Sequence, residues 1–447
     1  MTEGSVWRHM TRFALPIFWG NLFQQLYSVV DSLVVGNFVG KDALAAVSSS
    51  GSLIFLLVGL VSGIFSGASV VISRYFGARD DDSLHTAIHT TVAFGLVAGV
   101  VVSLAGVLMA PTLLVWMGTP QSVLPNSILY LRIFFSGLIF SVLYNTATGI
   151  FQAVGDSRRP LFYLIISSVL NVTLDLLFVV GFGMGIEGAA WATVISQAIS
   201  SVLAFRRLMS IDSAYRVWPK KVRFDMPMLR QVLNMGIPSG LQNSIIALAN
   251  VVVQSSINMY GAMAVAGSGA YAKIEGFGFL PINSFALALA TFVSQNLGAK
   301  EYGRAKKGAR FGVITSLLLA EGVGIAIFLL APKLIAIFNG DPEVVAYGVL
   351  HARTTTLFYF LLALSHAIAG VMRGAGRSIV PMIVMLVCWC LIRVTYILAY
   401  ARGTGDIQMI YWAYPITWSL SSIAFLIYYL KADWPHYMDR LQAKRAR

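Results

Sequence analysis

Two pairs of polar residues in apolar surroundings carry the chemistry that this sequence offers. Tyr27 and Asp31 lie four apart within Leu26-Tyr27-Ser28-Val29-Val30-Asp31, and Asn171 and Asp175 lie four apart within Asn171-Val172-Thr173-Leu174-Asp175. That spacing places both members of a pair on one face of a helix. Thr193 adds a hydroxyl near the start of the next apolar run. Carboxylates, an amide and hydroxyls are hard oxygen donors of the kind a small cation takes. They serve equally to hold one shared proton, since two adjacent carboxylates do not readily both ionise. Hydrogen bonding between helices is the plainer role, at about 0.6 kcal/mol each. Two aspartates at matching depth favour the cation or proton reading, because a charge inside a bilayer costs about 2.5–3.5 kcal/mol.

The elements that position these residues are set by lipid. Of 447 residues, 57% are hydrophobic and 11% charged, and the mean hydropathy is +0.76. A soluble domain carries roughly 25% charged residues, so much of this surface faces hydrocarbon. Apolar runs bounded by Gly, Pro or charge predict twelve helices. Their spans are 13–38, 45–72, 86–110, 127–153, 161–182, 187–205, 231–259, 264–296, 311–331, 346–372, 379–400 and 408–430. The expected fold is therefore an all-α integral membrane protein, since roughly 20 apolar residues cross a bilayer.

The net charge of +13 does not point to nucleic acid, because the basic residues sit in short gaps between apolar runs. With a cytoplasmic N-terminus, 25 of the 32 lysines and arginines fall inside, and only Lys41, Lys333 and Arg402 fall in outer loops. That bias places both termini in the cytoplasm. No cleavable signal is read at the N-terminus, whose first apolar run starts near Phe13. Measured from the span ends, Asp31, Asp175 and Thr193 all lie roughly 9–10 Å below the outer surface.

The chain repeats itself. Gly149, Gly155, Ser157 and Pro160 return as Gly370, Gly376, Ser378 and Pro381, each 221 residues later. Ser73 with Gly77-Ala78-Arg79 returns at the same offset as Ser294 with Gly298-Ala299-Lys300, and Pro16 pairs with Pro238 at an offset of 222. Six spans per half make these parallel repeats, related by a pseudo-two-fold axis along the membrane normal. The expected organisation is a six-helix lobe over 1–208 with the cation site, a cytoplasmic connection over 209–230, a second six-helix lobe over 231–430 and a basic tail over 431–447. The connection's charge suits an anionic inner leaflet. The oxygen-rich cluster is not duplicated: Val253 stands where Asp31 does, and Arg393 sits beside the partner of Asn171. Glu275 and Arg393 are candidate polar contacts in the second lobe, with Glu275 expected to pair with Lys273 or Arg393; Glu321 is a weaker candidate.

On these residues the chain resembles the multidrug and toxic compound extrusion (MATE) family over nearly its whole length. The matching features are Pro16 with Asp31 fifteen residues on, Asn171-x-x-x-Asp175, and Gly188-Ala-Ala-Trp-Ala-Thr193. Gly155-Asp156-Ser157 with its counterpart Gly376-Arg377-Ser378, and Ser294-Gln-Asn-Leu-Gly298, match as well. The resemblance implies two lobes, and export of organic cations or amphiphilic compounds in exchange for H⁺ or Na⁺ by alternating access. It implies that Asp31, Asn171, Asp175 and Thr193, with Tyr27, form the cation site, and that Pro16 lets the first helix bend. It implies no organic cofactor, small-molecule substrates, residence in the inner membrane and a monomer. Some branches carry an acidic cation site in the second lobe, and this chain shows no obvious equivalent in its seventh span, 231–259.

Other patterns carry less. Gly183-Met-Gly185-Ile-Glu-Gly188 matches a dinucleotide fingerprint by letters but lies between two membrane helices with no preceding strand. No Gly-x-x-x-x-Gly-Lys-Ser/Thr occurs, so no ATPase motif is read. His85 and His89, spaced for a metal, open a helix after Asp80-Asp81-Asp82, whose charges suit a helix N-terminus. His351 and His366 are minor candidates for proton or substrate contacts, and Cys388 and Cys390 read as packing residues. A membrane enzyme would need a nucleophile or metal constellation at one depth, which is not found. Within transport, the alternative is a lipid or lipid-linked oligosaccharide flippase of the same superfamily.

Overall fold

The computed structural model describes the backbone of residues 1–34, 41–116, 119 and 121–440, and the side chains among these except at 28–34, 41–53, 55 and 56. Among the described residues there are helices and no strand. This is what a lipid-facing chain requires, since a helix satisfies its own backbone polar groups.

Among the described residues, twelve helical spans follow the apolar runs. They are α1 (Val6–Val34), α2 (Lys41–Ala78), α3 (Asp81–Trp116), α4 (Leu124–Ser136) with α5 (Leu138–Ala153), α6 (Arg158–Asp175) running into a π-helical turn (Leu176–Gly181), and α7 (Ile186–Ser210). The second six are α8 (Met226–Asn258), α9 (Ala262–Gly298), α10 (Tyr302–Phe338), α11 (Pro342–Thr355) with α12 (Tyr359–Gly374), α13 (Ile379–Met385) with a π-helical turn (Leu386–Ile392) and α14 (Arg393–Ala399), and α15 (Ile407–Lys431). Ten spans among the described residues are long and apolar enough to cross a bilayer; α4 and α5, bent by 45°, make an eleventh, and α1 lies outside that count.

The repeat extends to backbone conformation. Arg79 and Lys300, 221 apart, both adopt left-handed φ, at 57° and 59°, and Gly155 and Gly376 do so at 90° and 82°. Each pair closes its helix with the same bonds. Asp80 N–H donates to Tyr75 O at 3.2 Å, and Glu301 N–H to Asn296 O at 2.8 Å. Asp156 N–H donates to Phe151 O at 2.9 Å, and Arg377 N–H to Met372 O at 2.8 Å. These six-to-one bonds satisfy carbonyls that a helix end otherwise orphans.

By packing, the chain forms two compact units. One is Trp19–Gly236; the other joins Met1–Phe18 to the chain from Ile237 onward. The 209–230 connection lies inside the first unit, and the divisions fall within α1 and α8, close to Pro16 and Pro238. In the first unit, a Cβ on Gly67 of α2 would meet the Gly236 backbone of α8 at 2.4 Å, so only glycine permits that crossing. Its core includes Val61, Phe65, Leu114, Leu131 and Phe135. In the second unit α9 runs through the middle, with Tyr271, Leu289 and Phe292 in the core and Met10 of α1 buried among them. Phe13 and Ala14 pack on Phe285 and Ala288.

Candidate functional site

The Trp19–Gly236 unit gathers three of the residues expected at a cation site. Asn171 and Asp175, one turn apart on α6, are both buried, and Thr193 of α7 lies beside them. The Asn171 amide sits 3.3 Å from Thr193 Oγ1. With its nitrogen toward the carboxylate, it donates to Asp175 Oδ2 at 3.0 Å and accepts from Thr193 N–H at 3.2 Å, which satisfies both ends. The Thr193 hydroxyl also donates to Ala189 O at 3.1 Å.

Asp175 closes the α-helical part of this span, and the π-helical turn begins at the next residue. Phe182 N–H reaches back five residues to Leu177 O at 2.9 Å. Such wide turns recur at functional sites, because they break helix register and re-aim side chains. Here the turn lies on the C-terminal side of the aspartate, next to the polar cluster.

Tyr27 and Asp31 both stand in α1. Tyr27 is half-buried and holds a partner of its own, whereas the Asp31 side chain lies outside the described residues. Pro16 lies inside α1, which continues as α-helix on both sides of it. Gln197 escaped the sequence reading. It stands one turn beyond Thr193 on α7, and its Oε1 is buried with no partner among the described residues. The i, i+4 spacing that singled out the other pairs also marks Thr193 and Gln197.

The second unit holds a different cluster. Arg393 begins α14 immediately after the π-helical turn and is buried. Its Nε and Nη2 donate to Thr417 Oγ1 at 3.2 and 2.8 Å, and Nη1 donates to Asn250 Oδ1 at 3.5 Å. The guanidinium lies 4.6 Å from the Tyr414 ring centre and 5.3 Å from that of Trp389. Glu275 of α9 is half-buried, and among the described residues it makes no ion pair within 4 Å with Lys273 or Arg393. Lys273 instead lies 5.4 Å from the Phe338 ring centre. Glu321 accepts from Phe360 N–H at 3.1 Å, and so caps the first turn of α12. His351 stacks on Tyr411 at 3.9 Å and 7°, and His366 bonds to Leu362 O at 3.0 Å. Cys388 is buried and the Cys390 thiol donates to Ile245 O at 3.3 Å.

The two histidines at the start of α3 are tied to backbone. Trp218 N–H donates to His89 Nε2 at 2.9 Å, which leaves Nδ1 to donate to His85 O at 2.7 Å. The His85 ring stacks on His89 with centres 3.9 Å apart.

Parallel six-span repeats, with a buried polar cluster where α6 gives way to its π-helical turn, define a polytopic helical membrane transporter. The chain belongs to the MatE family of efflux transporters: the family pattern matches residues 16–177 and again 238–400, once in each half. The probable multidrug resistance protein YoeA of Bacillus subtilis is 29% identical over 440 residues, covering 96% of this chain and 94% of that protein. The multidrug export protein MepA of Staphylococcus aureus is 24% identical, covering 96% and 95%. An outward-facing multidrug resistance MATE family transporter of the MOP superfamily shares the fold at a TM-score of 0.90, with 22% identity over 95% of each chain. So does a MOP superfamily transporter from Pyrococcus furiosus described by a binding pocket of reverse polarity, at 0.89 and 22% over 95% of each chain.

Proposed function

We propose that this chain is a secondary active multidrug exporter of the inner membrane, moving organic cations or amphiphilic compounds outward against H⁺ or Na⁺. Both termini would then face the cytoplasm, as the distribution of basic residues favours. The observation that carries the reading is the buried Asn171–Asp175–Thr193 cluster beside the π-helical turn. A buried carboxylate is costly unless a proton, a cation or a set of donors compensates it. That cost makes the aspartate a natural place to couple an ion to conformation. The multidrug names of the relatives support the substrate class.

In this mechanism, cation or proton uptake at Asp175, together with Asp31, pulls on α1, and bending near Pro16 changes the cavity of the first lobe. Substrate leaves outward, and a new substrate entering from inside displaces the ion. Each charge moved across 100 mV supplies about 2.3 kcal/mol, enough for roughly a 50-fold gradient. Exchange of one H⁺ for one monovalent cation moves no net charge, so chemical gradients alone then drive it.

The test is ethidium efflux from energised vesicles under imposed pH or Na⁺ gradients, comparing wild type with Asp31→Asn. Gradient-dependent efflux that the variant loses supports coupled export. Unchanged efflux in the variant removes Asp31 from the coupling site. If wild type moves none of several cationic dyes, the flippase reading replaces export.

A further inference from the structure

The connection between the halves is not a loose tether. Its backbone is pinned to the Trp19–Gly236 unit at successive points. Arg216 Nε donates to Met209 O at 2.8 Å, Val217 N–H to Leu208 O at 3.0 Å, Trp218 N–H to His89 Nε2 at 2.9 Å, and Asp225 N–H to Thr90 Oγ1 at 3.3 Å. Asp225 spends its carboxylate on Met228 N–H at 2.8 Å, at the start of α8. A backbone held in this way presents its side chains in a fixed array.

That array alternates charge with large apolar groups. Residues 216–230 contain five basic side chains and one acidic one. Lys220, Lys221 and Arg223 are exposed, and between and beside them Trp218, Phe224 and Met226 are 43%, 41% and 66% exposed. The Arg216 guanidinium stacks 3.9 Å from the Trp218 ring centre, which stiffens the pair. Exposed aromatic and apolar side chains next to lysines are costly in water but suit the bilayer interface, where rings sit at headgroup level and lysines meet phosphate.

We propose that this pinned connection is a docking surface for anionic phospholipid of the inner leaflet. Lys220, Lys221 and Arg223 take the headgroup phosphate, while Trp218, Phe224 and Met226 reach the acyl boundary. The proposal rests on the cytoplasmic placement of the connection, but its test is independent of transport.

The full-length protein in detergent is titrated with phosphatidylglycerol, phosphatidylcholine or soluble glycerophosphoglycerol, and bound copies are counted by native mass spectrometry. Wild type is compared with Lys220→Gln/Lys221→Gln/Arg223→Gln. A control carries Lys306→Gln/Lys307→Gln/Arg310→Gln, three exposed basic residues in the other unit. At about fivefold per basic side chain at low salt, the connection variant loses tenfold or more of its phosphatidylglycerol affinity, and the control keeps it. Equal binding of both phospholipids by wild type overturns the proposal, as does an equal loss in the control. Binding of the soluble headgroup as tight as that of the lipid also overturns it, since the apolar residues would then contribute nothing.

Discussion

Arg79 and Lys300 occupy the same left-handed turn, 221 residues apart, one at the end of α2 and the other just after α9. Neither is glycine, although each stands where a helix end most often uses one. A side chain in that conformation costs about 1–2 kcal/mol, and glycine's extra freedom in the unfolded chain returns part of it. Lys300→Gly therefore stabilises the protein by about 0.5 kcal/mol, read as a small rise in melting temperature in detergent. A fall would mean that the lysine side chain makes contacts that outweigh the strain.

The shared amide of Asn171 predicts graded effects at the polar cluster. Asn171→Ala removes a donor to a buried carboxylate, a bond worth about 1.5–3 kcal/mol. With one donor fewer, the carboxylate depends more on the ion, so coupling-ion affinity should rise roughly 10- to 100-fold, seen as a shift of the pH or Na⁺ dependence of dye efflux to lower ion concentration. Asp175→Asn should abolish that dependence while leaving dye binding to the purified protein within a few-fold of wild type. Loss of dye binding alongside it would place Asp175 in the substrate site instead.

Which features were legible depended on whether local sequence or a distant partner decided them. The twelve spans were plain because lipid demands long apolar runs. The repeat was plain because glycines and prolines recur at one offset. The break before α12 was not, since Thr356-Leu357-Phe358 carries no glycine or proline; the capping carboxylate comes from Glu321 on α10. The π-helical turns were invisible for another reason. One extra residue per turn leaves composition unchanged, and Leu176–Gly181 and Leu386–Ile392 read as ordinary apolar helix. Nor can periodicity say which partner buries a face: Phe13 is apolar either way, and only packing assigns it to Phe285 and Ala288. At the polar cluster, spacing on one helix brought out Asn171 and Asp175, while the bond to Thr193 depends on how α6 meets α7.

Arg393, by sequence a candidate polar contact, is held by a geometry that only arginine fits. It uses two nitrogens on one threonine hydroxyl and lies near two aromatic rings, so its planar fork is what fits. Lysine keeps the charge but cannot make both bonds to Thr417. Arg393→Lys should cost about 2 kcal/mol of stability, from lost hydrogen bonds and ring contacts. Thermal unfolding in detergent checks this against Thr417→Val, which keeps the arginine but removes its acceptor, along with the hydroxyl's own bond to Ala413 O at 2.7 Å. If the lysine variant unfolds like wild type, the fork is not what holds α14 to α15.

The packing units part company at prolines. The first division follows Phe18, two residues past Pro16, and the second follows Gly236, two residues before Pro238. Each proline removes a helical hydrogen bond, to the carbonyl of Arg12 or Asn234, and interior proline costs a helix about 3 kcal/mol. Both α1 and α8 thus weaken where the chain passes from one compact unit to the other, which is where bending costs least. The repeat makes the two positions equivalent, so a role for Pro16 in bending implies one for Pro238. Pro238→Ala should raise the melting temperature by restoring the helix, and lower the turnover of dye efflux several-fold by stiffening it. A variant that is more stable yet equally fast would leave bending to α1 alone. One that is both less stable and slower would show that Pro238 acts through packing, because a stiffer helix cannot unfold more easily.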